Sequence, residues 1–187
     1  MGNAAVRFSM SAEEFLAWEA GQADKHEFVA GEVFAMVGAV ANHVTVSLNL
    51  AVALRQHLRG APCRTFMSDM KLRVDQDFFY PDVFVTCGAA DATAVQFMSE
   101  AKLVAEVLSV STASYDLGAK FEAYRRLPTL AEAMFVNIEA RRADVFRKGA
   151  DGLWVLHPFG QGETVQLASV ALDIPAPELF ADVRDAG

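Results

Sequence analysis

One uninterrupted apolar run constrains the fold of this chain more than any other feature of the sequence. Residues 103–108 read Leu-Val-Ala-Glu-Val-Leu, and Glu106 is the only charged side chain among them. This run lacks the alternation of a half-exposed strand and is typical of a central strand covered on both faces. An ionised carboxylate buried there without a partner costs on the order of several kcal/mol, so Glu106 requires a cation, an ion pair or a raised pKa. The pattern alone equally allows a glutamate at the exposed end of the strand, or one paired with an arginine.

A second carboxylate precedes another apolar strand. Residues 80–87 read Tyr-Pro-Asp-Val-Phe-Val-Thr-Cys, which places Asp82 at a strand entrance, where the preceding proline is tolerated. Adjacent strands lie about 4.8 Å apart, so Asp82 and Glu106 would converge on one hard cation if their strands are neighbours, and oxygen ligands favour magnesium or manganese. An aspartate at a strand boundary is also common for purely local hydrogen-bonding reasons.

A lysine is predicted to face the same region from a helix. This third helix is expected to begin near Ser114 or Asp116 and to end at Leu127, before a proline. Its inward stripe consists of Leu117, Phe121, Tyr124 and Leu127. Helical-wheel counting places Lys120 on the inward side with Tyr124. The alternative is a lysine whose stem packs on the core while its ammonium group reaches water.

Two further candidates lie upstream. Residues 26–36 predict a β-hairpin turning near Gly31, in which Glu27 either adds a carboxylate to the site or faces solvent. Asn42 is predicted to cap a second helix that runs to about Leu58. His43 lies on its apolar face, which also includes Ser47, Leu50, Leu54 and Leu58. A histidine in such a stripe is more often a hydrogen-bonded core or rim residue than a metal ligand, so we treat His43 as an accessory candidate.

The remaining patterns complete a mixed α/β chain. Ser11 has capping-box spacing to Glu14, which predicts a short first helix that stops near Gly21. Further strands are predicted at residues 63–74 (one or two strands), 133–138, 142–147, 153–157 and 165–172. No repeat, low-complexity tract or linker divides the sequence, so we predict one domain over residues 1–187, with its core at about 10–175.

Composition restricts the classes of function. A net charge of −8 argues against binding of nucleic acid through a broad, positively charged surface, unless bound divalent cations reverse the electrostatic field at the site. The sequence has no secretory signal and no run of about 18 apolar residues, so we expect no membrane association and a cytoplasmic location. Cys63 and Cys87 form no C-x-x-C motif and are predicted to be free, buried thiols.

Several motifs together resemble one protein family over most of the chain. They are Tyr80-Pro81-Asp82-Val83, residues 103–112, Asp116 with Lys120 and Tyr124, residues 26–32, His43 and residues 135–138. In combination they resemble the Uma-two (Uma2) family of putative restriction endonucleases. The resemblance implies the PD-(D/E)XK, restriction-endonuclease-like fold, in which a central mixed β-sheet is flanked by helices and preceded by an N-terminal helix and hairpin. It also implies an acidic metal site and a homodimer.

The same resemblance implies roles for individual residues. Asp82 and Glu106 would bind magnesium or manganese, and Glu27 would complete the acidic site. Lys120 would replace the lysine that usually stands two residues after the motif glutamate, a position held here by Leu108. His43 and Tyr124 are accessory candidates.

Two departures from the family pattern leave these residues intact. Ser109-Val110 stands where the family usually has Ser-Pro, and residues 133–137 read Ala-Met-Phe-Val-Asn where it usually has Tyr-Trp-Leu-Val-Asp. The first change affects a turn, and the second affects packing or dimerisation.

The resulting hypothesis is a metal-dependent endonuclease that hydrolyses DNA. The metal would activate water and polarise the phosphate, and Lys120 would stabilise developing negative charge or orient the nucleophile. The alternative is a non-catalytic interaction module that retains the fold, which the acidic composition and the lack of a clear basic groove favour.

Overall fold

The computed structural model describes residues 6–7, 10–36, 38–109 and 112–184, which form a mixed α+β fold. The strands are β1 (Val6–Arg7), β2 (His26–Val29), β3 (Glu32–Ala35), β4 (Arg64–Met67), β5 (Lys71–Val74), β6 (Asp77–Phe79), β7 (Val83–Thr86), β8 (Phe97–Met98), β9 (Ala101–Leu108), β10 (Glu132–Asn137), β11 (Arg142–Lys148), β12 (Trp154–Phe159), β13 (Val165–Leu167) and β14 (Leu172–Ile174). The helices are α1 (Ala12–Glu19), α2 (Ala41–His57), α3 (Ala113–Tyr115), α4 (Phe121–Tyr124) and α5 (Ala176–Leu179), with 3₁₀ turns at Ala90–Ala92 and Ala168–Val170.

The strands are arranged in two six-stranded sheets and a ribbon of β13 and β14. The first sheet has the order β1-β3-β2-β6-β5-β8, and the second has the order β12-β11-β10-β9-β7-β4. In the second sheet β9 and β10 run parallel, whereas the other neighbouring pairs run antiparallel. The predicted mixed α+β class, with mixed β-structure flanked by helices, is confirmed, but the strands form two six-stranded sheets where one central sheet was expected.

β9 is a central strand, as its apolar sequence predicts, because β7 and β10 pair with its two edges. Leu103 and Val107 on one face pack in the cluster that contains the buried side of α2. Val104 on the other face packs in the cluster that contains Tyr124 and the inner residues of β5 and β6. Side chains alternate along a strand, so Glu106 shares the face of Val104 and points into the layer between the two sheets.

The N-terminal helix and hairpin form as predicted. The Ser11 side chain accepts from the Glu14 backbone N–H, and the Glu14 side chain accepts from the Ser11 backbone N–H, which completes the capping box of α1. β2 and β3 are joined by Ala30 and Gly31, whose φ angles are +50° and +83°. Two consecutive positive φ angles suit a two-residue hairpin turn, and Gly31 adopts its angle without steric cost.

The third predicted helix differs from its prediction in length and phase. The helical run begins at Ala113, close to the predicted start, but it ends at Tyr124 rather than Leu127. Between α3 and α4, residues Asp116–Lys120 form a π-helical turn, which holds more residues than an α-helical turn. This turn rotates Leu117 away from the inward stripe, and the Leu117 side chain is 42% exposed. The prediction that Leu117 faces inward is therefore wrong.

The second helix has the predicted extent but not the predicted cap. α2 begins at Ala41 after Val40, which provides no side-chain cap. The Asn42 side chain instead bonds both backbone groups of Arg184: Nδ2 donates to its carbonyl, and Oδ1 accepts from its N–H. The predicted cap is wrong because a long-range contact engages the amide. The apolar face is confirmed, since Leu50 and Leu54 are fully buried.

The remaining predicted strands are also present. Residues 63–74 contain β4 and β5, and the later predicted segments contain β10, β11, β12 and, over residues 165–172, β13 with the start of β14. β13 and β14 flank a 3₁₀ turn, so the last of these segments is two short strands. Among the described residues, no helix has the length and apolar character needed to cross a membrane.

The two cysteines form a disulfide, so the prediction of free thiols is wrong. β4 pairs antiparallel with β7 through Arg64 and Thr86, and Cys63 and Cys87 are the next residues along that ladder. Their Cα atoms are 4.1 Å apart. Pairing of these strands brings together two cysteines that are 24 residues apart in the sequence.

Removing this disulfide should measurably destabilise the fold. Because the bond closes a loop of 24 residues, the change of both Cys63 and Cys87 to serine is expected to lower the free energy of unfolding by about 2–4 kcal/mol. Urea denaturation of the double variant and of the oxidised wild type measures the difference. Wild type treated with a reducing agent should match the variant. An unchanged midpoint in both samples would contradict the prediction.

Candidate active site

Two carboxylates from neighbouring strands form the centre of the candidate site. β7 pairs with β9 through Val83 and Ala105, and one residue further along this antiparallel ladder Asp82 stands opposite Glu106. The Asp82 backbone N–H points at Glu106 Oε2 over 3.4 Å, and the Val107 backbone N–H donates to Asp82 Oδ2 over 2.8 Å. The adjacency inferred from the sequence is therefore present.

Lys120 brings a positive charge to this pair from the π-helical turn. Its Nζ lies 3.1 Å from Glu106 Oε1 and 3.1 Å from Glu27 Oε1. The Lys120 side chain is 8% exposed, and the Glu106 side chain is 3% exposed. Lys120 therefore points inward, as predicted, and its ammonium group is held by carboxylates in the layer between the sheets.

The hairpin places Glu27 in the site rather than in solvent. Glu27 lies on β2 and is 5% exposed. Besides the contact with Lys120, its Oε1 accepts from the Tyr80 backbone N–H over 3.1 Å. Its Oε2 accepts from the Tyr115 hydroxyl over 3.4 Å. These contacts connect the first sheet to the strand entrance at Asp82 and to α3.

The two accessory candidates contact the central carboxylates. His43 Nε2, from the first turn of α2, lies 3.2 Å from Asp82 Oδ2. The Tyr124 hydroxyl, from α4, donates to Glu106 Oε1 over 2.6 Å. The structure thus brings together all six residues singled out in the sequence, from β2, α2, the entrance of β7, β9, the π-helical turn and α4.

Two further residues of the site received no role from the sequence. Asp116 Oδ1 lies 3.7 Å from Lys120 Nζ, and its side chain is 7% exposed. Its position four residues before Lys120 was a usable signal, because residues at that spacing are neighbours on a helix. Tyr115 gave no comparable signal. Its contact with Glu27 joins residues 88 positions apart, which only the tertiary fold brings together.

Burial and charge crowding set the protonation of the site. Burial raises the pKa of the Glu106 carboxyl to about 8 against the opposing effect of Lys120, and the carboxylates of Asp82 and Asp116 add to the rise. Burial also raises the pKa of Asp116. Burial alone would lower the pKa of Lys120, but the surrounding carboxylates outweigh it and hold that pKa well above its usual value. Lys120 therefore remains charged.

The pKa of His43 is raised mainly by its hydrogen bond to Asp82, in opposition to burial. The imidazole therefore becomes positively charged more readily than a free histidine. That charge lies at the more open side of the site, since the side chains of Asp82 and His43 are 18% and 16% exposed.

The residues present fit a hard divalent cation. Four carboxylates, those of Glu27, Asp82, Glu106 and Asp116, surround one lysine. Burial is the main cause of the raised pKa of Glu106, and the negative charges of Asp82 and Asp116 add to the rise. In the described part of the chain, no three Asp, Glu, His or Cys side chains are already arranged as a metal site. Magnesium is commonly held by one or two carboxylates, and water and substrate phosphate complete its coordination. Asp82 and Glu106 supply such a pair.

Comparison with known protein families identifies the family of this chain. A model of the Uma2 family, described as "Putative restriction endonuclease", matches residues 12–176. The chain belongs to the Uma2 family. Membership in this family supports a nuclease-like function. Val110, where the family usually has proline, and Ser111 of the same motif lie outside the described residues.

This Uma2 chain is also similar to two uncharacterized proteins of Synechocystis sp. One, slr1290, is 35% identical over 173 residues, which are 91% of this chain and 91% of that protein. The other, sll1609, is 33% identical over 151 residues, which are 79% of this chain and 85% of that protein.

In three dimensions the chain is similar to a crystal structure from Anabaena variabilis, described as a putative nuclease belonging to DUF820. The TM-score is 0.76, and the match covers 92% of this chain and 98% of that chain at 13% sequence identity. At this identity the likeness shows the fold alone. The predicted restriction-endonuclease-like fold is confirmed.

Proposed function

We propose that this chain is a metal-dependent endodeoxyribonuclease that hydrolyses phosphodiester bonds in DNA. The observation that carries the proposal is the convergence of the partly exposed Asp82 carboxylate with the buried Glu106 carboxylate and Lys120 amine. Perturbed, buried ionisable groups that converge from separate elements are characteristic of catalytic sites. Family membership and the restriction-endonuclease-like fold support the same class of chemistry.

Asp82 and Glu106 would hold the magnesium or manganese ion, and neighbouring groups fix their orientations. The Val107 backbone N–H and His43 engage Asp82, and the Tyr124 hydroxyl engages Glu106. A bound ion of this kind activates water and polarises the phosphate. Fixed hydrogen bonds hold the ligands in place and so lower the reorganisation needed during the reaction.

Lys120 would act on the phosphate as a permanent positive charge. Its pKa lies well above the usual value, so the amine stays protonated and can stabilise negative charge that develops on a phosphate oxygen or orient the attacking water. Glu27 completes the acidic site and fixes Lys120, while the Tyr80 backbone N–H and the Tyr115 hydroxyl orient Glu27. The description of the family as a putative restriction endonuclease supports DNA as the substrate. The homodimer and the cytoplasmic location stay predictions.

Substitution of Asp82 tests the proposal directly. Asp82→Asn keeps the side-chain shape and removes one ligand charge, so magnesium affinity measured by titration calorimetry is expected to fall about tenfold or more. Cleavage of plasmid and single-stranded DNA with magnesium is expected to fall about a hundredfold or more. Circular dichroism verifies that the variant is folded.

Asp173→Asn, an exposed change on β14, is the matched control and should behave as wild type. Full cleavage by Asp82→Asn would refute the assignment of the site. Magnesium binding by wild type without cleavage of either DNA would favour the non-catalytic interaction module instead.

A further inference from the structure

Two neighbouring aromatic rings, those of Phe34 and Tyr115, lie beside the candidate active site. Phe34 lies on β3 directly opposite Glu27 of β2 in the hairpin ladder. Tyr115 lies on α3, and its ring centroid is 6.4 Å from that of Phe34. The Tyr115 hydroxyl contacts Glu27, and Lys120 Nζ lies 6.0 Å from the centre of the Tyr115 ring. The pair thus adjoins the charged groups assigned to phosphate chemistry.

This pair differs from the aromatic rings of the core. Phe78, Phe79 and Tyr124 are fully buried, whereas Phe34 and Tyr115 are both half-buried. Retained exposure leaves apolar ring surface open to a ligand at the edge of a polar site. The hydrogen bond from Tyr115 to Glu27 holds the tyrosine ring in place, so little conformational freedom remains to be lost when a ligand stacks on it.

We propose that Phe34 and Tyr115 form a stacking platform for an unpaired base of the nucleotide whose phosphate lies at Lys120, which makes single-stranded DNA the preferred substrate. The inference rests on the proposed function and names the substrate class of the same site. Bases in a duplex are stacked on each other, so only unpaired bases present a free face to protein rings.

The net charge of the chain also favours single-stranded DNA over duplex DNA as the substrate. Duplex binding depends largely on lysine and arginine contacts to phosphates, and the chain carries a net charge of −8. Base stacking on aromatic rings does not require positive charge and tolerates any sequence. A stacking platform would therefore supply affinity that this acidic chain does not gain from contacts with the phosphate backbone.

Binding and cleavage measured side by side test the inference. Fluorescence anisotropy with a labelled single-stranded oligonucleotide and with its blunt duplex, in calcium to support binding, gives the affinities. We expect tighter binding of the single strand. Phe34→Leu and Tyr115→Leu should each weaken single-strand binding about fivefold to a hundredfold while changing duplex binding less. Tyr115→Phe, which keeps the ring and loses only the hydroxyl, should retain most of the binding.

Phe159→Leu, the same change on the edge strand β12, is the matched control and should bind both DNA forms as wild type. Equal binding of the two DNA forms by wild type, or loss in Tyr115→Phe as large as in Tyr115→Leu, would overturn the stacking role. DNA cleavage that does not depend on either ring would leave the nuclease proposal standing and refute the platform. Single-strand binding that depends on the rings, without any DNA cleavage, would support the platform and refute the nuclease proposal.

Discussion

Replacing Glu106 with glutamine is expected to lower magnesium-dependent DNA cleavage about a hundredfold or more while leaving the protein folded. The carboxylate is one of the two proposed ligands, and a bound metal contributes several kcal/mol to transition-state stabilisation, of which the variant would lose a large part. Initial rates on plasmid and single-stranded DNA, compared with wild type from a parallel preparation, measure the loss.

The stability of the same variant shows whether Glu106 is a metal ligand or has only a structural role. Glu106→Gln weakens the ion pair with Lys120, but it also removes repulsion from Asp82 and Asp116. These effects oppose each other, so stability in metal-free buffer is expected to change by only about 1 kcal/mol. Magnesium should raise the melting temperature of wild type but not that of the variant, because only a bound ligand shifts the unfolding equilibrium. Wild-type cleavage rates in Glu106→Gln would contradict the assignment.

Replacing Lys120 with methionine is expected to reduce both stability and turnover. The change removes the ammonium group that contacts Glu27, Glu106 and Asp116 and leaves buried carboxylates without their positive partner. Breaking a buried ion pair in this way costs about 3–5 kcal/mol, which corresponds to a melting temperature lower by roughly 6–20 °C. Differential scanning calorimetry in metal-free buffer gives the shift.

Magnesium should restore part of that stability, because the ion supplies positive charge to the same carboxylates. Turnover should remain about a hundredfold lower even at saturating magnesium, since the metal does not replace the amine at the phosphate. Lys120→Arg keeps the charge and should regain more stability than turnover. Lys102→Met, near the start of β9, is the matched control. Equal melting temperatures of Lys120→Met and wild type would show that the lysine does not balance the buried charge.

Local sequence pattern predicted the elements that carry the site. The run around Glu106 indicated a central strand, the Pro-Asp pair indicated a strand entrance, and the capping box of Ser11 fixed the start of α1. Each of these signals is carried by residues that are close together in the chain, where backbone geometry and side-chain alternation determine the outcome. The roles of Asp82, Glu106 and Lys120 were implied by family resemblance, and the structure adds their distances.

Contacts between distant segments were decided by the tertiary structure alone. Pairing of β4 with β7 joined Cys63 to Cys87, and the π-helical turn exposed Leu117, which periodicity had placed inside. The sequence determined which segments are strands and helices, because those preferences act over a few residues. No local pattern encodes the features that depend on packing across the whole chain. These are the choice of strand partners, the insertion of an extra residue in a helical turn, and the approach of Tyr115 to Glu27.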